Sequence, residues 1–176
     1  MATVYTIGHS TRTLDELIEA LRAHEIRTLV DIRAFPMSRR LPWFNRESLE
    51  AELPKANIEY VWMRDLGGRR KRVLAESPNT GLRNDSFRNY ADYMLSEKFQ
   101  QAADRLIERA KKQRTAIMCA ELLYFRCHRM LVSDYLVSRG HQVLHIQDEK
   151  PPKEHTLSKD ARIVDGKLVY RGDYLL

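Results

Sequence analysis

Long apolar runs are missing from this 176-residue chain. No stretch approaches the ~20 consecutive apolar residues that a bilayer-spanning helix requires, so no membrane role is expected. Cysteine is scarce: Cys119 and Cys127 are the only two. That count excludes a disulfide framework, and the pair reads as free thiols that packing or chemistry must explain. The first residues, Met1 to Ile7, have neither the basic segment nor the long apolar stretch of a signal peptide, so the protein is expected in the reducing cytoplasm. Internal repeats and low-complexity segments are absent as well, which leaves residues 1–176 as one domain.

What is present is a soluble, basic composition. Hydrophobic residues make up 43% and charged residues 31%, with a formal net charge of +6. An excess of positive charge attracts anionic partners over long range, without separating a nucleotide from a nucleic acid.

Short β-prone runs alternate with segments of helical spacing. Val4 to Ile7 is a short β-prone run ended by Gly8-His9-Ser10, and Leu14, Leu17, Ile18 and Leu21 then repeat at helical spacing. Thr13 suits the N-cap of that helix, with Asp15 and Glu16 in its first turn, where negative charge meets the helix dipole. A second strand is expected over 28–33. A loop with Pro36 and Pro42 follows, then a short helix opened by Asn45 or Ser48 and running to Leu53. Residues 58–63 supply a third strand, followed by Gly67-Gly68 and the basic run Arg69 to Arg72. The turn-rich stretch from Val73 to Asn84 is expected to be a functional lid or disordered. From Ser86 to about Lys112 the pattern is helical, with a break at Ser96. Residues 115–119 and 142–146 read as the fourth and fifth strands, separated by a helix that Gly140 terminates. Asp165-Gly166 between β-prone arms marks a hairpin. Five strands alternating with helices predict an α/β fold: a parallel or mostly parallel sheet of about five strands, helices on both faces, and a C-terminal β-hairpin.

In an open parallel sheet, ligands bind outside the carboxyl ends of the strands. Four sets of polar residues fall there: His9 and Ser10; Asp31, Arg33, Ser38 and Arg39; Gly67, Gly68 and Arg69; and Cys119, Glu121, Cys127, His128 and Arg129. The segment from Cys119 to Arg129 is the sharpest of them. Its second half opens a helix, whose N-terminal N–H groups favour an anion, lower the pKa of Cys127 and bias His128 towards neutral imidazole. Cys119 also suits a buried packing position, and Glu121 could pair with Arg126 or Arg129. A strand-end cysteine before a helix is shared by thiol phosphatases, but the interval from Cys119 to Arg126 or Arg129 departs from their spacing. Cys119, Cys127, His128 and His9 are soft ligands that suit zinc or iron, yet they lack a paired short spacing, so no residue is assigned to a metal. The sequence names no cofactor.

Taken together, several ordered motifs resemble a known family. They are Thr6 to Ser10; Val30 to Arg33 with Pro36, Ser38 and Arg39; Leu66 to Arg70; Asn79 with Gly81 and Arg83; Ser86 to Met94; and Cys119-Ala120-Glu121 with Cys127-His128-Arg129. With these the chain is similar to the prokaryotic family called domain of unknown function 488. His155-Thr156-Leu157 and the Arg162–Tyr170 hairpin share the likeness. The resemblance implies a soluble prokaryotic α/β protein and implies no particular reaction. The apolar stretch Leu122 to Phe125 departs from the polar loop the family leads one to expect, and points to ligand stacking on Tyr124 or to a partner surface.

The leading expectation is an enzyme, hydrolase or transferase, for a nucleotide, a nucleic-acid component or another phosphorylated small molecule. Arg33, Arg39, Arg69 and Arg129 would hold the anion, His9 or His128 would move protons, Glu121 or Asp31 would orient them, and Cys119 or Cys127 would be the nucleophile. A non-catalytic nucleic-acid-binding module using Arg69 to Arg88 is the second expectation, and a thiol or metal redox protein the third. The apolar helix faces also suit a homodimer.

Overall fold

In a computed structural model that describes residues 1–172, the chain forms a mostly parallel sheet with helices on both faces. The elements are β1 (Thr3–Gly8), α1 (Leu14–Ala23), β2 (Thr28–Asp31), α2 (Arg46–Glu52), β3 (Glu59–Trp62), α3 (Asp85–Tyr93), α4 (Glu97–Lys112), β4 (Thr115–Cys119), α5 (Arg129–Ser138), β5 (Gln142–His145), β6 (Lys153–Glu154), β7 (Ala161–Val164) and β8 (Lys167–Tyr170). The order across the sheet is β3-β2-β4-β1-β5-β6. The first five of these strands run parallel, and β6 pairs antiparallel to β5 as a short edge strand that the sequence pattern does not signal.

Alternation along each strand divides the core. Tyr5 and Ile7, Leu29, and Ala116 and Met118 face α1 and α2, where they meet Leu17, Leu21, Leu49 and Leu53. Val4, Val30, Ile117 and Cys119 face the opposite side, against Tyr90, Phe99, Leu106 and Leu131. Each fully buried leucine here contributes about 1.5–3 kcal/mol through the water it sheds.

Local chemistry sets the helix ends. Thr13 and Glu16 form a reciprocal capping box at the start of α1, and the Asn84 and Ser96 side chains accept N–H bonds at the starts of α3 and α4. Asn45 is the residue before α2, and Gly140 takes a left-handed backbone, φ +84°, just past α5. Asp165 and Gly166, with φ of 53° and 76°, make the two-residue turn between β7 and β8.

The segment from Val73 to Asn84, expected as a lid or as disorder, has no regular structure but is fastened at its middle. Asn79 is fully buried; its amide donates to Asp92 Oδ1 at 2.6 Å, and its carbonyl accepts the Tyr170 N–H at 2.8 Å. The Gly81 N–H reaches Tyr170 O as well. The loop therefore ties α3 to β8. Among the described residues no helix is long and apolar enough to cross a membrane.

Candidate functional site

The connections that leave β1 and β4 diverge. The chain after β1 passes to the face covered by α1, and the chain after β4 passes to the face covered by α5, so a crevice opens between the two adjacent strand ends. Pairing outlasts the strands: His9 N–H donates to Cys119 O and Ser10 N–H to Ala120 O, both at 2.9 Å. Those bonds set His9 beside Cys119. A Cβ on Gly8 would lie 1.8 Å from Glu121 O, so the loop after β4 rests directly on the end of β1.

A cavity of about 730 Å³ occupies this edge. Of the residues expected at the strand ends, His9, Ser10, Arg33, Ser38, Gly68, Arg69, Cys119, Glu121, Cys127 and His128 contribute to its wall. Four anticipated residues stand elsewhere. Asp31 is fully buried behind Arg33; Arg39 is exposed and does not line the wall, whereas its neighbour Arg40 does; and a Cβ on Gly67 would lie 3.0 Å from Ala34 Cα, so a side chain there would be obstructed. Arg129 is 1% exposed, and its Nη2 donates to Glu121 O and Leu122 O at 3.0 Å each, so it holds the loop after β4. Its Nε is buried without a hydrogen-bond partner.

His9 is fixed in one tautomer. Ser10 O accepts at 2.9 Å from Nδ1, which must therefore carry the hydrogen, and Nε2 faces Arg33 Nη1 at 3.4 Å as an acceptor. The ring stacks on Phe44 with centroids 4.3 Å apart. Burial, reinforced by the Arg33 charge against the opposing Ser10 bond, lowers its pKa to about 4. Arg33 is itself clamped: Nε and Nη2 donate to both Asp31 oxygens, and Nη2 donates to Phe44 O at 2.7 Å.

The cysteines meet at the floor. Their sulfurs lie 2.8 Å apart, both as free thiols. Cys127 Sγ also accepts the Arg129 N–H at 3.2 Å, satisfying a donor at the start of α5 that no side chain of His128 caps. The hydrogen bond from Cys119 lowers the Cys127 pKa against the effect of burial, helped by the His128 ring and the Arg129 charge; the same pairing, together with burial, raises Cys119. His128 Nε2 donates to Ile32 O at 2.8 Å, and its ring packs against Gly68.

Around the mouth stand the exposed side chains Phe35 and Met37, with Leu122 and the half-buried Phe87. The Arg69 guanidinium lies 5.9 Å from the Phe35 ring. Ser10 and Arg69 both adopt left-handed backbones, φ 50° and 58°, at a cost of about 1–3 kcal/mol each that concentrates at this cavity. The sequence reading missed Arg40, Phe35 and Met37; only the two prolines bounding their loop mark that segment. Tyr90 is buried in the core and the half-buried Phe87 packs against the same core, and both reach the cavity wall. Tyr124 is occupied by the protein itself, its ring parallel to His145 at 3.8 Å, so the stacking expected for a ligand is made internally. Among the described residues no three His, Cys, Asp or Glu side chains gather as a metal-binding group.

The Arg69–Arg72 run is partly committed. Arg70 donates to Gly67 O and Arg64 O and lies over the Tyr93 ring at 3.8 Å, and Arg72 donates to Leu74 O and Ala75 O. No curated protein and no solved structure matches the chain. The family model described as Domain of unknown function DUF488 matches residues 13–136, the stretch that runs from the α1 cap through most of α5, and the chain belongs to that family.

Proposed function

We propose that this protein is a cytoplasmic enzyme of the hydrolase or transferase class that takes a phosphate-bearing small molecule, a nucleotide or a phosphorylated metabolite, into the cavity at the carboxyl edge of its sheet. The observation that carries this reading is the meeting, in one cavity, of neutral His9, Cys127 at a helix N-terminus, and the arginines Arg40 and Arg69. A volume of about 730 Å³ lies in the roughly 300–1,000 Å³ range of small-ligand sites. Arg40 and Arg69 stand in the wall with no carboxylate clamp among the described residues such as the one that neutralises Arg33, so they are cations available to a phosphate. Phe35, Met37 and Phe87 give a flat or apolar group its place at the mouth. Within this reading Cys127 is the nucleophile and His9 Nε2 the proton acceptor.

A thermal-shift screen against inorganic phosphate, nucleoside phosphates, sugar phosphates and short oligonucleotides tests it. A ligand at ~100 times its Kd adds roughly 2.7 kcal/mol to the folded state, a shift of about 5–10 °C for a chain of this size. The expected result is stabilisation by a small phosphate compound that Arg69→Ala and Arg40→Ala each weaken. Stabilisation by oligonucleotides alone, or equal shifts in both variants, overturns it.

A further inference from the structure

Cys119 closes β4 and Cys127 stands two residues before α5, and the turn between them folds back until their sulfurs are 2.8 Å apart. A disulfide needs about 2.05 Å, so a small side-chain adjustment would join them. The surroundings of the two sulfurs differ. Cys127 is 9% exposed and accepts from the Arg129 N–H, whereas Cys119 is 3% exposed and among the described residues bonds only Cys127 and Glu121 O; both line the cavity floor. One sulfur is thus supported as an anion and is the more exposed of the two, and the other lies deeper beside it.

We infer that the pair is a dithiol couple in which Cys127 reacts first, with a small hydroperoxide entering the cavity, and Cys119 then closes a disulfide on it. In the first step the Cys127 thiolate attacks the terminal oxygen of ROOH. The S–O bond forms, the O–O bond breaks, and the alkoxide leaves with the proton released when the thiolate formed. In the second step Cys119 loses its proton and attacks Cys127 Sγ. The S–S bond forms, the S–O bond breaks, and hydroxide leaves with that proton as water. The two thiols are oxidised, and ROOH is reduced to ROH and water. Two molecules of a small external thiol, oxidised to their own disulfide, return the pair. The depth of the sulfurs selects the oxidant, because a compact O–O bond can reach the floor while a bulky protein disulfide cannot align with Cys127 there. This inference is independent of which ligand the cavity binds.

The experiment treats the reduced full-length protein with hydrogen peroxide and follows free thiols and intact mass. Wild type is expected to lose both thiols and the mass of two hydrogen atoms, reversibly with dithiothreitol. Cys119→Ser is expected to gain one oxygen at Cys127 that dimedone captures, with Cys119→Ala as a second variant should serine disturb the core. Cys127→Ser is expected to oxidise roughly tenfold more slowly or less, since an unactivated thiol is only a few per cent thiolate at neutral pH. Equal reactivity of Cys119→Ser and Cys127→Ser, or oxidation of wild type to oxygen adducts without a disulfide, overturns the inference.

Discussion

Asp31 and Arg33 are two residues apart and form a buried ion pair, with Nη2 2.6 Å from Oδ2 and side chains 0% and 7% exposed. Tyr60 adds a further contact by donating to the same Oδ2 at 2.5 Å. The pair sits directly behind His9, so the sheet edge gains a rigid back wall whose own charges cancel.

Asp31→Asn keeps the shape and removes the charge that Arg33 faces. Breaking one side of a buried ion pair costs about 3–5 kcal/mol, and urea unfolding is expected to show a loss of that order. A loss below about 1 kcal/mol, the range of exposed pairs, would show that the two side chains are not held as described.

Acid should weaken the fold through two histidines. Burial lowers His9 to about 4 and His145 to about 3, in the second case with the neighbouring His155 adding to the effect. The unfolded chain protonates near pH 6.5 and the folded chain does so only below those values. Both groups therefore leave stability untouched above pH 6.5 and subtract from it as pH falls, each by up to about 1.4 kcal/mol per pH unit. Unfolding curves at pH 7 and pH 5 are expected to separate, and His145→Gln should narrow the gap. If stability instead rises on acidification, these histidines are not buried in neutral form. Activity that needs neutral His9 should persist down to about pH 4.

One carboxylate fastens the C-terminal segment to α5. Asp134 in α5 accepts from His155 Nε2 at 2.7 Å, from the Ser158 hydroxyl at 2.6 Å and its N–H at 3.0 Å, and from the Tyr170 hydroxyl at 2.8 Å. Tyr170→Phe removes one donor and should cost about 0.5–1.5 kcal/mol. Asp134→Ala orphans them all and should cost about 3 kcal/mol or more. Hydrogen exchange is expected to show β7 and β8 losing protection before β1 and β4 do; uniform loss across the sheet would count against a local anchor.

Much of this architecture is legible before any coordinates. Short β-prone runs and helical spacing locate the five parallel strands and the helices between them, and Thr13, Ser96 and Asp165-Gly166 announce their turns because capping and hairpin chemistry are local. The sheet edge that bears the polar residues follows from the same pattern. Side-chain direction does not. Arg39 and Arg40 are adjacent, and only the path of the loop decides which faces the cavity. Arg129 has the sequence position of an anion-binding residue and turns instead to the carbonyls of its own loop. The Asp134, His155 and His145 cluster joins β5, α5 and the chain beyond β6 through contacts between distant positions, so no short motif reveals it.

Gly8 has a consequence beyond this one chain. Because the Glu121 carbonyl occupies the space where any side chain at that position would begin, the end of β1 and the loop after β4 are fitted as surface to surface, with no layer between them. Position 8 is therefore a marker that can be read from sequence alone. A relative that carries a side chain there must route the loop between its two cysteine positions differently, and the floor on which the sulfurs of Cys119 and Cys127 meet would not be inherited in this form.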